Sequence, residues 1–316
     1  MKYSERSGLR SAGRSLICLF ITSVILVGLV FSAGAASIAT GNSAPIATAQ
    51  EYTTYRNVEI YGKVSAIDPE GDMITFAVSK EPEKGTVKME PDGSFVYTPL
   101  SGKKGKDTFS YIAVDTNGNI SAEAIVTIRI TKLSTDVSYS DMDGNDAHYA
   151  ALCLAENNIF VGSRLGNEYF FSPDAPVTRG EFLVMCLNLC GIDKLNDITK
   201  TGFADDEQMS AWLKPYVAAG LMNGVVHGYV KNGEVVFSAD KNITLAEAMV
   251  TLDNAIALTD VYSGPVNDVC PSWAAQSCAN LMSCNIVSEN SVYDCVVTRA
   301  EAAKMLTAAY DVLNSR

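Results

Sequence analysis

Between residues 58 and 130, apolar and polar positions alternate in short runs: 58–64, 73–78, 86–89, 94–97, 108–114 and 124–130. The breaks between them carry turn residues, including Pro91-Asp92-Gly93 and Asp115-Thr116-Asn117-Gly118. A period of two sends successive side chains to opposite faces of a strand. Asp-Gly and Asn-Gly tolerate the backbone that tight hairpins need. Several short strands at this spacing, with no helical period competing, predict an all-β sandwich.

Beyond residue 139 the period changes. Phe182, Met185, Cys186 and Leu189 recur at helical spacing, as do Ala302, Met305, Leu306 and Ala309. Each set predicts one apolar helix face. A block is also written three times, with aspartates at 141, 205 and 268 and threonines at 178, 244 and 298. Within each block a first helix follows the aspartate, a loop intervenes, and a second helix starts at the threonine. One such pair does not bury its apolar face alone, so the three units should pack together. The first helix of the second block looks about a turn short. The whole predicts a multidomain chain, an all-β sandwich followed by an all-α bundle.

Each threonine is followed three positions later by a glutamate: Thr178 and Glu181, Thr244 and Glu247, Thr298 and Glu301. In this spacing the hydroxyl caps the third helical amide and the glutamate reaches back to the threonine amide. These six residues are read as structural caps, not catalysts. Arg179 and Arg299 follow their threonines directly, where capping requires no arginine. A guanidinium beside free helix-start amides would attract a carboxylate or phosphate. The alternative is a surface ion pair. Trp212 and Trp273, the two tryptophans, each lie a few residues after an aspartate. They read either as sugar-stacking faces or as core packing at a helix start. Residues 141–146 resemble a calcium loop but lack its spacing and distal glutamate, so a solvated turn is expected there.

The N-terminus has a basic start at Lys2, Arg6, Arg10 and Arg14, an apolar run over residues 16–31, and then small residues. This order predicts a cleaved secretory signal over residues 1–35, with Ala33-Gly34-Ala35 as the cleavage motif. The apolar run is shorter than the ~20 residues of a spanning helix, which disfavours an uncleaved anchor. No membrane association is expected after cleavage.

Charge divides the chain as the patterning does. Of a total of −12, residues 43–132 carry −2 and residues 133–316 carry −13. Such acidity speaks against a nucleic-acid partner. Only two histidines are present, and the sequence holds no serine-hydrolase, zinc-protease or P-loop motif. No enzymatic activity and no obligatory cofactor are expected. Seven of the eight cysteines lie beyond residue 150. They read as buried small apolar residues, with a bridge somewhere within 270–295 as the alternative.

Two resemblances follow from these motifs. Asn42-Ser43-Ala44-Pro45, Asp68-Pro69-Glu70-Gly71-Asp72, Asp92-Gly93-Ser94-Phe95-Val96-Tyr97 and Asp115-Thr116-Asn117-Gly118 resemble bacterial cadherin-like, Ig-like modules of surface proteins. Relatives bind calcium at module junctions. The resemblance therefore points to Asp68, Glu70, Asp72 and Asp115 as oxygen donors for calcium, against a reading as solvated turn residues. The triplicated block, with its Phe171-Ser172-Pro173-Asp174 and Val297-Thr298-Arg299-Ala300-Glu301, resembles S-layer homology (SLH) domains. Those fold as a pseudo-threefold helical bundle and bind secondary cell-wall polysaccharide, often through a pyruvate ketal. The implied contacts are Arg179 and Arg299, with Asp141, Asp205, Asp268, Trp212 and Trp273 as further groove residues. Leu245 replaces the arginine in the second repeat, and Tyr149 lies near the tryptophan position of the first.

The expected organisation is a signal over residues 1–35, a sandwich over 43–132, and repeats over 139–192, 202–258 and 265–314. The expected protein is secreted to the wall of a Gram-positive-type bacterium, anchored without covalent linkage, and displays the sandwich to a surface protein or glycan. The alternatives are a calcium-dependent adhesin, or a lattice component in which the triplet is mainly structural.

Overall fold

The computed structural model describes residues 41–261, 270–288 and 291–315. The expected signal segment and Asp268 lie outside the described residues. Nine strands come first: β1 (Ile46–Ala47), β2 (Gln50–Tyr55), β3 (Ile60–Lys63), β4 (Ala66–Ile67), β5 (Ile74–Lys80), β6 (Gly85–Met89), β7 (Ser94–Pro99), β8 (Gly105–Asp115) and β9 (Ala124–Thr131). They form a four-stranded sheet, β2-β9-β8-β5, and a three-stranded sheet, β3-β7-β6, with β1 and β4 paired at the side. All pairings are antiparallel except β2 with β9.

The alternation explains the packing. In β9, Ala124, Val126, Ile128 and Ile130 are buried while the intervening residues face outward. They meet Phe95, Tyr97, Phe109 and Tyr111, each at most 2% exposed. The tyrosine hydroxyls find partners, as buried polar atoms must. Tyr97 donates to Asp107 Oδ2 at 2.8 Å, and Tyr111 is within bonding distance of the Thr48 and Ser65 carbonyls. Gly62 is required by close approach, because a Cβ there would lie 2.4 Å from the Phe95 ring.

Among the described residues six α-helices follow: α1 (His148–Glu156), α2 (Arg179–Leu189), α3 (Lys214–Met222), α4 (Leu245–Ile256), α5 (Ala275–Ser283) and α6 (Arg299–Asn314). The helix α3 has nine residues, the same as α1 and α5, so the first helix of the second repeat is not short. Two of the connecting loops hold hairpins, β10 (Ser163–Leu165) with β11 (Glu168–Phe170) and β12 (Tyr229–Lys231) with β13 (Glu234–Val236).

A ring of three backbone hydrogen bonds marks a pseudo-threefold axis. Val177 N–H donates to the Val297 carbonyl, Val297 to Ile243, and Ile243 back to Val177, at 2.9, 3.0 and 2.9 Å. All three side chains are at most 1% exposed. This ring is the hub around which α2, α4 and α6 begin.

The sandwich and helices share apolar packing. Tyr55 and Val58 belong to the same buried cluster as α1, α2, α4 and α6. The Tyr55 ring lies 5.3 Å from that of Tyr149. Glu156 accepts bonds from the amides of Ser134 and Thr135, fastening the connection between the two parts. Among the described residues no helix is long and apolar enough to cross a membrane.

Candidate functional site

All three capping boxes are complete. The Thr178, Thr244 and Thr298 hydroxyls accept from the Glu181, Glu247 and Glu301 amides, and each glutamate accepts from its threonine amide. The next amides are also taken. Arg179 N–H donates to the Lys241 carbonyl and Gly180 N–H to Ala239, each at 2.9 Å. The same pattern joins Leu245 and Ala246 to Cys295 and Tyr293, and Arg299 and Ala300 to Ala175 and Pro173. This corrects the expectation of free amides beside the arginines. The neighbouring repeat's loop satisfies these donors at each helix start, so these amides are not free to be offered to an anion.

The arginines are held at repeat boundaries. Arg179 Nε donates to the Phe237 carbonyl at 3.0 Å, and Nη1 lies 3.2 Å from Glu247 Oε1. Its guanidinium stands over the Tyr229 and Phe237 rings at 5.6 and 5.3 Å. Burial pushes Glu247 up, but the Thr244 amide, Arg179 and Lys241 together bring it below the usual carboxylate range. Arg299 repeats the arrangement more loosely. Its Nη1 donates to the Phe171 carbonyl at 3.1 Å, Nη2 lies 3.8 Å from Glu181 Oε1, and the guanidinium covers Phe160 at 5.4 Å. These are half-buried inter-repeat pairs, not the exposed surface pairs weighed from sequence.

The aspartates have structural employment. Asp141 accepts from the Phe171 and Ser172 amides through its two oxygens, and Asp205 does the same for Phe237 and Ser238. Ser172 and Ser238 sit in the left-handed region, at φ of 56° and 53°. The paired amide contacts hold that unfavourable backbone in place.

The tryptophans face solvent, Trp212 at 57% and Trp273 at 60% exposure. Each directly precedes a buried residue, Leu213 or Ala274, whose carbonyl caps the first helix by accepting from Val217 or Cys278. In the first repeat that residue is Ala147, which accepts from Ala151. Asp146, not Tyr149, therefore occupies the tryptophan position there.

One groove gathers these elements. A cavity of about 380 Å³ is lined by Arg179 of the first repeat, by His227, Tyr229, Glu247, Thr251 and Asn254 of the second, and by Trp273 of the third. It combines an exposed indole, a cation and hydrogen-bonding side chains. Sequence reasoning found Arg179 and Trp273 but missed His227, Tyr229 and Asn254, which no short motif marks. Arg299 and Trp212 hold the equivalent positions one step round the axis. At the remaining step Leu245 stands where the arginines stand, in a cavity of about 260 Å³.

In the sandwich, carboxylate oxygens of Asp68, Asp72 and Asp115 lie within 4.8 Å of one another. Asp68 Oδ1 accepts from the Glu70 and Asp72 amides, while its buried Oδ2 has no hydrogen-bond partner. Glu70 does not join the cluster, since its carboxylate accepts from the Ser43 amide and hydroxyl. The side chains of Asn42, Asn117 and Asn119 donate to Asp115 and Asp72. Hard oxygens with one orphaned buried atom fit a calcium ion. Among the described residues Cys153, Cys186, Cys270, Cys278, Cys284 and Cys295 are free thiols.

Comparison with known proteins agrees with these two architectures. The bacterial cadherin-like domain family matches residues 42–132, and the S-layer homology domain family matches residues 202–249. The chain thus carries both domain types, and these mark a cell-surface, S-layer-associated protein. A surface-layer 125 kDa protein of Lysinibacillus sphaericus is 26% identical over 126 residues, which are 40% of this chain and 10% of that protein. The chain therefore spans about a tenth of that relative. Among solved structures, an endo-fucoidan hydrolase of glycoside hydrolase family 107 is 19% identical over 32% of this chain and 15% of its own, with a TM-score of 0.25. The sialic acid binding region of a Streptococcus sanguinis adhesin is 18% identical over 31% of each chain, with a TM-score of 0.24. Drosophila N-cadherin is 16% identical over 29% of this chain and 25% of its own, also at 0.24.

Proposed function

We propose that the chain anchors to secondary cell-wall polysaccharide through its three repeats and displays the cadherin-like domain outward, a binding role and not a catalytic one, on a Gram-positive-type wall. The observation that carries this reading is the groove in which Arg179 and Trp273, from different repeats, border one cavity. An exposed indole offers a stacking face for a sugar ring. An arginine steadied by two rings and a glutamate presents its remaining N–H groups to a carboxylate such as a pyruvate ketal. Arg299 and Trp212 would make a second site, and two modest sites on one polymer reinforce each other. The reading excludes Asp141 and Asp205 as ligand contacts, because their oxygens serve backbone amides.

Calorimetric titration with a pyruvylated N-acetylhexosamine tests it. Saturable heat that is reduced in Trp273→Ala, lost in Trp212→Ala/Trp273→Ala, and absent for the unpyruvylated sugar, is expected. Equal heats for both sugars would refute the ketal contact.

The orphaned Asp68 Oδ2 favours a second property, calcium binding by the cadherin-like domain through Asp68, Asp72 and Asp115. Calcium would pull these carboxylates together and stiffen the junction between residues 42–43 and the 68–72 turn. A rise in thermal midpoint with calcium, abolished by chelator and by Asp68→Asn, is the expected outcome. An unchanged midpoint at millimolar calcium would exclude it.

A further inference from the structure

The three capping-box glutamates are equivalent about the axis but not in their partners. Glu247 Oε1 meets Arg179 at 3.2 Å and Lys241 at 3.1 Å. Glu181 Oε1 meets Arg299 at 3.8 Å. Glu301 uses Oε2 for the Thr298 amide and hydroxyl, at 2.7 and 2.9 Å, and its Oε1 has no cation among the described residues. The reason is Leu245, which fills the arginine position and brings methyl groups in place of a guanidinium. The cavity of about 260 Å³ at this seam is lined by apolar and polar side chains together, among them Leu245, Ile286, Val287, Ser288, Ser291 and Glu301. Its one lysine, Lys304, is paired with Asp146, the residue at the position tryptophan holds in the other repeats. The seam has therefore lost both features of the anion groove. It keeps an exposed carboxylate with no cation partner among the described residues, beside the apolar side chains of Leu245 and Val287, and that charge reaches the nearby Cys295 thiol, which burial and then Glu301 and Asp294 push up.

We infer that this third groove binds a protonated primary amine carried on a small ring, as in a hexosamine lacking its N-acetyl group. The ammonium would donate to Glu301 Oε1 in a charge-assisted hydrogen bond. The C–H face of the ring would lie on Leu245 and Val287. The volume is below the ~300 Å³ at which drug-sized pockets begin, which limits the occupant to about one sugar ring. The inference goes beyond the ketal reading and does not rest on it, since neither Arg179 nor Arg299 takes part.

The test uses the full chain, labelled at Leu, Ile and Val methyls, titrated with glucosamine and separately with N-acetylglucosamine at mildly acidic pH. Glucosamine should give saturable shifts at Leu245, Ile286, Val287 and Val297, and N-acetylglucosamine should give none. Glu301→Gln keeps a side chain that completes the capping box and should weaken glucosamine at least about tenfold. Leu245→Arg, which leaves Glu301 in place but supplies its missing cation, should abolish the same shifts. Equal shifts with both sugars would overturn the inference, as would undiminished glucosamine binding in both variants. Ketal binding at the other grooves is read separately, so either result stands without the other.

Discussion

Replacing Arg179 by alanine removes three things at once. The Phe237 carbonyl loses a donor at 3.0 Å, Glu247 loses a partner at 3.2 Å, and two aromatic rings lose the cation above them. The pair is half-buried, with the arginine side chain 12% and the glutamate 16% exposed. Breaking a buried pair from one side costs about 3–5 kcal/mol. Here Lys241 remains on Glu247 at 3.1 Å and relieves part of that cost. The expected loss is therefore about 3 kcal/mol of unfolding free energy. Arg299→Ala should cost about half as much, since its ion pair is longer, at 3.8 Å, and it covers one ring. Urea unfolding of wild type, both variants, Glu247→Gln and Arg179→Ala/Glu247→Gln measures this, and the cycle over the Arg179 and Glu247 variants gives the coupling. A loss under about 1 kcal/mol for Arg179→Ala, or a larger loss for Arg299→Ala, would refute the view of these arginines as inter-repeat clamps.

Other consequences follow from the same contacts. Asp205→Asn turns an N–H₂ group toward one of two backbone amides and should cost about 2 kcal/mol in denaturant unfolding, with affinity for wall material unchanged in the folded protein. Asp206 is held at about 2 by the Lys214 ammonium at 2.7 Å and by bonds from Thr201. A depressed folded value means that its stabilisation is present above the unfolded pKa of about 3.9 and is lost as pH falls toward 2. Asp206→Asn should flatten the stability profile across that window, and an unchanged profile would contradict the pairing. Leu245→Arg should gain up to about 1 kcal/mol by pairing with the exposed Glu301, and a clear loss in thermal unfolding would mean that the seam has no room for the guanidinium.

What the sequence revealed was local in origin. The capping boxes rest on residues three apart, and the β9 alternation rests on four inward positions, so both were legible. Strand β2 was not, because Gln-Glu-Tyr-Thr-Thr-Tyr has no apolar alternation and is held by its parallel pairing with distant β9. The hairpins β10–β11 and β12–β13 were hidden for the same reason, being three residues per strand and largely exposed. The partners of the helix-start amides lie 47 to 127 residues away, beyond any motif. That is why the amides beside the arginines looked free when loops of the neighbouring repeats take them up. The tryptophans stayed open between a stacking face and core packing, because their exposure is set by the neighbouring residues Leu213 and Ala274, which occupy the core instead.

The central claim is that the grooves bordered by Arg179 with Trp273, and by Arg299 with Trp212, hold the wall polymer. Co-sedimentation of the chain with sacculi, before and after the attached polysaccharide is stripped, tests it on wild type, Trp212→Ala, Trp273→Ala and the double variant. These side chains are more than half exposed, so their loss should leave the fold intact. The account predicts binding that vanishes on stripping, weakens in each single variant and is lost in the double. Binding by the double variant at wild-type strength, or binding indifferent to stripping, would contradict it.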